Sequence, residues 1–453
     1  MLARTWALAL ALSLAGGAGR ATPCAADGQG APPTLSGPIT VAQAVDTALA
    51  NNPALRAAEA RLDAADASFV EAVGEESFVA SGTLAATSGD MVSTLASPTG
   101  VVPESIFAVP RNRALSSQLM LMFPLYTGGR LQSNIEAAEH ASLAAVCDFF
   151  VAEEEVTLAA KLAYREALRA KAYVQVYEAY VAESEERLRI DQAAYEVGKM
   201  PLQYVLRDKA ELANAKQMLA NAQRDGEIAL SDLKTVMGVS LASEIELAEG
   251  LSQQPLGATL ESLLAMAKED RPEVGAADEK IAAAVARSQA ARSAFRPQVS
   301  GVLMAGAVGA EGMRGEGGYT AGVVVGLPLL DSGQRRARVE AAQAMEAELT
   351  HERDMLRLQI ANEVNKAWLA LKAAEASIAA AQQALASAQE DYRVAKLRYE
   401  AGKAVNVEVV DAQAALVRAR ANHIDALYEF NAALDRLERA AGGELRESTE
   451  ASG

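Results

Sequence analysis

Tyr319-Thr-Ala-Gly-Val-Val-Val-Gly-Leu-Pro-Leu329 is the stretch on which the fold turns. In an extended chain, Tyr319, Ala321, Val323, Val325, Leu327 and Leu329 share one face, and Thr320, Gly322, Val324, Gly326 and Pro328 share the other. Ser77–Thr87 repeats the pattern, with Phe78, Ala80, Gly82, Leu84 and Ala86 opposite Val79, Ser81, Thr83 and Thr87. Arg113–Phe123 turns Leu115, Leu119, Leu121 and Phe123 one way around Ser116, Gln118 and two methionines, and Val299–Val308 has the weakest alternation. Segments of about 10 residues with one apolar face are what a membrane β-barrel requires, because a span must satisfy its own backbone and close its edges. Four strands do not close a useful barrel, so several chains are expected to share one. The alternative for the same strands is a small soluble sheet capping the helices.

Working outward, a very long helix is expected after each strand pair. Leu131–Val197 and Gln334–Ala401 contain no glycine or proline, and each would extend roughly 100 Å at about 1.5 Å per residue. Ile360, Val364, Ala367, Leu371, Ala374, Ile378, Ala381, Leu385, Ala388, Tyr392, Ala395 and Tyr399 alternate steps of four and three. A period near 3.5 predicts a coiled-coil seam with left-handed packing. Its many alanines let neighbouring helices approach closely. Gly198 and Gly402 then turn the chain into a second helix, which ends near Gly238 or Gly442.

The pattern is duplicated. Thr40 lines up with Thr259 and Pro53 with Pro272, 219 residues apart, and the same offset carries Ser81-Gly82 onto Ser300-Gly301. Further on the offset is 204, pairing Pro124-Leu125 with Pro328-Leu329, Tyr195 with Tyr399, Gly198-Lys199 with Gly402-Lys403, and Gly238 with Gly442. The change places 15 extra residues in one loop between Leu84 and Phe123. The expected organisation is a leader at 1–26, a linker at 27–39, repeats at 40–250 and 251–442, and a flexible tail at 443–453.

The leader has Arg4, an apolar run from Trp6 to Ala15, and small residues around Gly19-Arg20-Ala21 and Cys24-Ala25-Ala26. This is the layout of a secretory signal peptide, with an N-terminal membrane anchor as the alternative. Lipidation of Cys24 stays open, although Thr22-Pro23 makes a poor lipobox. The 453 residues carry a formal net charge of -17, which disfavours nucleic acid as a partner. Two cysteines (Cys24, Cys147) and three histidines (His140, His351, His423) leave no disulfide framework or multi-ligand zinc site. His140 and Cys147 share a helical face, but two ligands make a poor metal site. Glu153-Glu154-Glu155 reads as a solvated face. The glycines between Gly301 and Gly326 lack the context of a phosphate loop. No catalytic arrangement has a signature, so neither enzyme activity nor a cofactor or metal is expected.

The chain resembles the TolC-like outer-membrane efflux protein family over about Leu35 to Gly442. The resemblance is carried by Phe123-Pro-Leu-Tyr-Thr-Gly-Gly-Arg130, Leu327-Pro-Leu-Leu-Asp-Ser-Gly-Gln334, the turns Tyr195-Glu-Val-Gly-Lys199 and Tyr399-Glu-Ala-Gly-Lys403, the Asn52-Pro53 and Arg271-Pro272 breaks, and the duplication. It implies a mainly α chain with a small membrane β part. Duplicated long-helix hairpins form an α-helical barrel, and four strands per chain join a shared barrel in a homotrimer. The implied place is the outer membrane, in contact with its lipid, with a periplasmic extension. The implied partners are a periplasmic adaptor (membrane fusion) protein and an inner-membrane transporter, for which the trimer is the exit duct of a tripartite efflux or type I secretion system.

The resemblance also implies an aperture gate at Tyr399, Glu408 and Asp411, and adaptor docking at the tips formed by Gly198, Lys199, Gly402 and Lys403. Three copies of Glu408 and Asp411 around an axis would repel one another and attract cations. Two departures matter: Tyr204 stands where the family is often acidic, and Ala404 where it is basic. The closing network is therefore thinner than the family's or built differently. The competing class is a periplasmic coiled-coil adaptor or scaffold without a barrel. Neither the cargo nor the energy source of the pump is legible.

Overall fold

Local signals set the helix boundaries, and a computed structural model describes residues 32–89, 112–253, 257–310 and 316–443. The leader at 1–26 with Cys24, the tail beyond Gly443 and residues 90–111, most of the longer loop, lie outside these. The element order is β1 (Ser36–Ile39), α1 (Val41–Asn51), α2 (Pro53–Gly74), β2 (Val79–Gly89), β3 (Asn112–Tyr126), α3 (Arg130–Glu196), α4 (Leu202–Val236), β4 (Glu244–Leu247), α5 (Leu260–Glu269), α6 (Pro272–Ser293), β5 (Gln298–Ala310), β6 (Glu316–Gly326), α7 (Gln334–Glu400) and α8 (Asn406–Ala441). Thr40 caps α1 through the Gln43 amide, and Thr259 caps α5 with Ser262 returning the bond. Asn52 ends α1 and caps α2, whose first residue is Pro53. Gly129 and Gly333, both left-handed, start the two 67-residue helices.

The four longer strands form one antiparallel sheet in the order β2-β3-β5-β6. Its register merges the four alternations into common faces. Successive rows read Ala80–Leu121–Leu303–Ala321, Gly82–Leu119–Ala305–Tyr319 and Leu84–Ser117–Ala307–Gly317. The opposite face reads Val79–Met122–Val302–Gly322, Ser81–Met120–Met304–Thr320 and Thr83–Gln118–Gly306–Gly318. Tyr319 is 83% exposed and Leu119 56%, so nothing among the described residues covers the apolar face. Phe123 lays its ring over its pairing partner Gly301.

The sheet departs from expectation at its ends. Strand β3 runs on past Pro124 to Tyr126 by a bulge at Leu125. Strand β6 stops at Gly326, so Leu327–Leu329 leave the sheet, where Pro328 has no N–H to donate. Ser36–Ile39, expected as linker, form β1, which pairs in parallel with β4. Glu154, expected on a solvated face, is half-buried 3.5 Å from Arg439, and burial pushes its carboxyl up. Cys147 is half-buried against Gly275 of α6, and His140 Nδ1 lies 2.6 Å from Glu279. Among the described residues no helix is long and apolar enough to cross a membrane.

The seam of α7 is the buried stripe of that helix: Ile360, Val364, Leu371, Ala374, Ile378, Ala381 and Ala395 are buried. Its upper part meets Phe430, Leu434 and Leu437 of α8 and Leu263 of α5 in one core. A second core joins α1, α3, α4 and β4 around Tyr164, Leu233, Met237 and Leu247. Helix α8 bridges the two hairpins, with Arg165 of α3 on buried Asp435 at 3.3 Å and Lys161 on Glu438 at 2.8 Å.

Gly238 and Gly442 close the hairpins at positive φ, +66° and +81°. A Cβ on Gly238 would sit 2.6 Å from the Asn51 carbonyl oxygen, beside the 2.8 Å bond from Asn52 Nδ2 to Val236. Gly198 has the same sign of φ with nothing within 4 Å. Gly198→Ala is therefore expected to cost only the left-handed penalty of about 1–2 kcal/mol. Gly238→Ala, which must also displace backbone, is expected to lower the melting temperature further. Equal melting temperatures would mean the Asn51 contact yields freely.

Candidate functional site at the hairpin turns

The two turns share one construction. Gly198 N–H donates to Tyr195 O at 2.8 Å and Lys199 N–H to Ala194 O at 2.9 Å. In the second hairpin Gly402 N–H donates to Tyr399 O at 2.9 Å and Lys403 N–H to Arg398 O at 2.8 Å. This paired-bond stop needs a left-handed residue after the helix, which is why glycine follows the tyrosine by three. Gly198, Lys199, Gly402 and Lys403 are all exposed.

Below the turns the hairpins are joined by buried polar side chains. Tyr399 of α7 donates its hydroxyl to both oxygens of Asp191 on α3, each at 2.7 Å. Asn406, the first residue of α8, donates its amide to Asp191 at 2.9 Å and to Asp208 of α4 at 3.0 Å. Arg187 reaches Asp208 through Nε at 3.1 Å and Gln413 of α8 through Nη1. Gln413 in turn donates to Glu183 at 3.2 Å. Asp191, Asp208 and Asn406 are 0% exposed. One network thus ties α3 and α4 of the first hairpin to α7 and α8 of the second.

Its electrostatics are unbalanced. Arg187 pairs with one of the two buried carboxyl groups, Asp208. Burial, and then the nearby Asp208, push Asp191 up to about 6, against the pull of the Tyr399 and Asn406 hydrogen bonds. Burial and the bond to Asp191 raise the Tyr399 hydroxyl. Asp208 Oδ2, Asn406 Oδ1, Arg187 Nη2 and Ser184 Oγ are buried without a hydrogen-bond partner. Among the described residues no three His, Cys, Asp or Glu groups converge in a way that could hold a metal ion.

Of the residues expected at the gate, the network takes in Tyr399 alone. Glu408 sits in the first turn of α8, paired with Arg398 at 2.9 Å. The Asp411 side chain is 71% exposed, 4.0 Å from Arg207. Both point away from the buried cluster. Tyr204 is half-buried and Ala404 lies in the turn. Sequence reasoning missed Arg187, Asp191, Asp208, Asn406 and Gln413. A signal existed for two: at the offset of 204, Asp191 and Asp208 stand opposite Ala395 and Ala412, both buried in their own hairpin. A carboxyl at a seam position whose repeat mate is a buried alanine marks a polar group inside.

The sequence pattern of the outer membrane efflux protein family matches residues 44–239 and 263–443. The chain belongs to this family. Protein CyaE of Bordetella pertussis is 31% identical over 98% of this chain and 96% of its own. Toluene efflux pump outer membrane protein TtgC of Pseudomonas putida is 25% identical over 58% of this chain and 56% of its own. Among solved structures, VceC of Vibrio cholerae superposes with a TM-score of 0.72 at 20% identity, covering 90% of this chain and 97% of that one. The Campylobacter jejuni CmeC outer membrane channel gives 0.75 at 19% identity, covering 90% and 86%. As a member of the outer membrane efflux protein family, the chain is an outer-membrane channel component with a periplasmic extension. The four-stranded sheet is its part of the membrane barrel, and the soluble-cap and scaffold readings fall away.

Proposed function

We propose that the chain works as a homotrimer, conducting cargo passively from a periplasmic adaptor and an inner-membrane transporter to the outside. The sheet register carries this reading. It gives one face of side chains fit for lipid and leaves an edge of β2 and an edge of β6 without a partner among the described residues. Exposed edges invite pairing, and pairing β6 of each copy with β2 of the next closes a ring. The repeats 40–250 and 251–442 are its two structural units, and their turns form the periplasmic tip. Membrane fractionation, extraction in mild detergent and light scattering corrected for detergent test it: a trimer from the outer membrane is expected. A monomer or dimer soluble after cell breakage would remove the shared barrel.

At the tip, the Tyr399–Asp191–Asn406–Asp208 network holds the second hairpin against the first, and Glu408 and Asp411 line the aperture. Gly198, Lys199, Gly402 and Lys403 present the outermost surface to the adaptor. Their exposure outside the buried network supports both assignments. Alanine at Glu408 and Asp411 together is expected to raise ion conductance in a planar bilayer and to weaken block by trivalent cations. Unchanged conductance with unchanged block would take these carboxylates out of the constriction.

A further inference from the structure

The hydrogen-bond inventory at the tip leaves acceptors unmatched, and the unpartnered Arg187 Nη2 and Ser184 Oγ do not reach them. Around Asp191 and Asp208, the donors in place are the Tyr399 hydroxyl, the Asn406 amide and Arg187 Nε. They leave Asp208 Oδ2 and Asn406 Oδ1 accepting nothing, in a site with no solvent exposure. A buried acceptor without a donor costs about 1–3 kcal/mol, and more when it is charged. A proton on the Asp191 carboxyl adds a donor toward Asp208 and removes one of two adjacent buried charges. We infer that Asp191 and Asp208 form a proton-operated latch: the protonated pair holds the tip of the second hairpin against the first, and loss of the proton loosens it. The inference rests on the reading of this network as the element that holds the tip closed.

The surroundings fix which charges act on the pair. From α3 the neighbours are Arg187 and, through Gln413, Glu183; from α4, Asp208 itself; from α7, Tyr399; from α8, Asn406 and Gln413. Met200 Sδ, 3.6 Å from the Tyr399 hydroxyl, adds no charge. Glu408 and Asp411 are paired with Arg398 and Arg207 outside the buried cluster. Arg187 is thus a cation in direct contact with Asp208, and one guanidinium cannot balance two carboxylates.

The sign follows from linkage. In the closed tip Asp191 titrates at about 6; in an opened, hydrated tip a carboxyl returns to about 3.9. Protonation therefore favours the closed tip below about pH 4, and that advantage is lost as pH rises through 6. Between pH 5 and pH 7.5 the closed-to-open ratio should fall by about tenfold.

The test measures the purified trimer in planar bilayers, with the pH at the tip side stepped from 5 to 7.5. A second readout is the tip-to-tip distance between spin labels at Lys403→Cys by pulsed electron paramagnetic resonance. Wild type should gain conductance and distance as pH rises. Asp191→Asn, which keeps a neutral, hydrogen-bonding group at every pH, should stay closed and lose the pH response. Wild type with no pH response, or Asp191→Asn responding as wild type does, overturns the latch. Should Asp191→Asn fail to assemble, the label distances in the otherwise unaltered chain decide alone. Tyr399→Phe tests the underlying reading separately. If it leaves conductance unchanged at both pH values, the network is no gate; if it opens the channel while wild type ignores pH, the gate stands and the proton has no part in it.

Discussion

Leu119→Arg is expected to keep the protein out of the outer membrane. Leu119 is the middle residue of β3, in the row Gly82–Leu119–Ala305–Tyr319, and its neighbours across the strands are too small to hide it. An arginine at the bilayer midplane of a barrel strand costs about 2–4 kcal/mol. Three symmetry-related copies bring that to roughly 6–12 kcal/mol per trimer, enough to lose most of the assembled channel. Gln118→Arg, one residue earlier, points to the opposite face and should insert and assemble as wild type does. The comparison is made on membrane fractions, by the yield of trimer resistant to mild detergent. A membrane-inserted Leu119→Arg beside a lost Gln118→Arg would mean that the faces are assigned the wrong way round.

The lipid-facing row is legible in the sequence alone. Alternation with period 2 is a local property, so each strand announced its own face, and register only had to align them. The seam of α7 was readable for the same reason: its steps of four and three are written within one helix. Strands β1 and β4 were invisible because Ser36-Gly-Pro-Ile39 and Glu244-Ile-Glu-Leu247 are four residues each and find each other across more than 200 residues. Strand β6 ends at Gly326 although Leu327 and Leu329 keep the alternation beyond it.

The site was legible in its backbone and hidden in its side chains. Tyr399, Gly402 and Lys403 could be placed from the turn motif, since a helix stop of that kind constrains residue type at fixed positions. Asp191 and Asp208 could not be placed by periodicity, which marks a seam position without saying whether its occupant is apolar. Only the comparison of the two repeats exposes them, through Ala395 and Ala412 at the matching positions. The repeats share a fold and differ where the tip is locked: the first supplies the carboxyl groups, and the second supplies Tyr399, Asn406 and Gln413.

Arg187→Met is the change expected to release the tip most strongly. Its side chain is 8% exposed and in contact with Asp208 and Gln413 at once. Removing one partner of a buried ion pair leaves the other charge uncompensated, at a cost of about 3–5 kcal/mol. That cost falls on the closed arrangement alone, because an opened tip exposes Asp208 to water. The single variant should therefore conduct far more than wild type while its barrel still assembles. Pairing it with Asp208→Leu removes the stranded charge, and replacing a buried ion pair by apolar side chains of similar volume is often neutral. The double variant should accordingly conduct less than Arg187→Met alone. A double variant as leaky as the single one would mean that Arg187 acts through Gln413 and the α8 contact, and the carboxyl at 208 would lose its place in the lock.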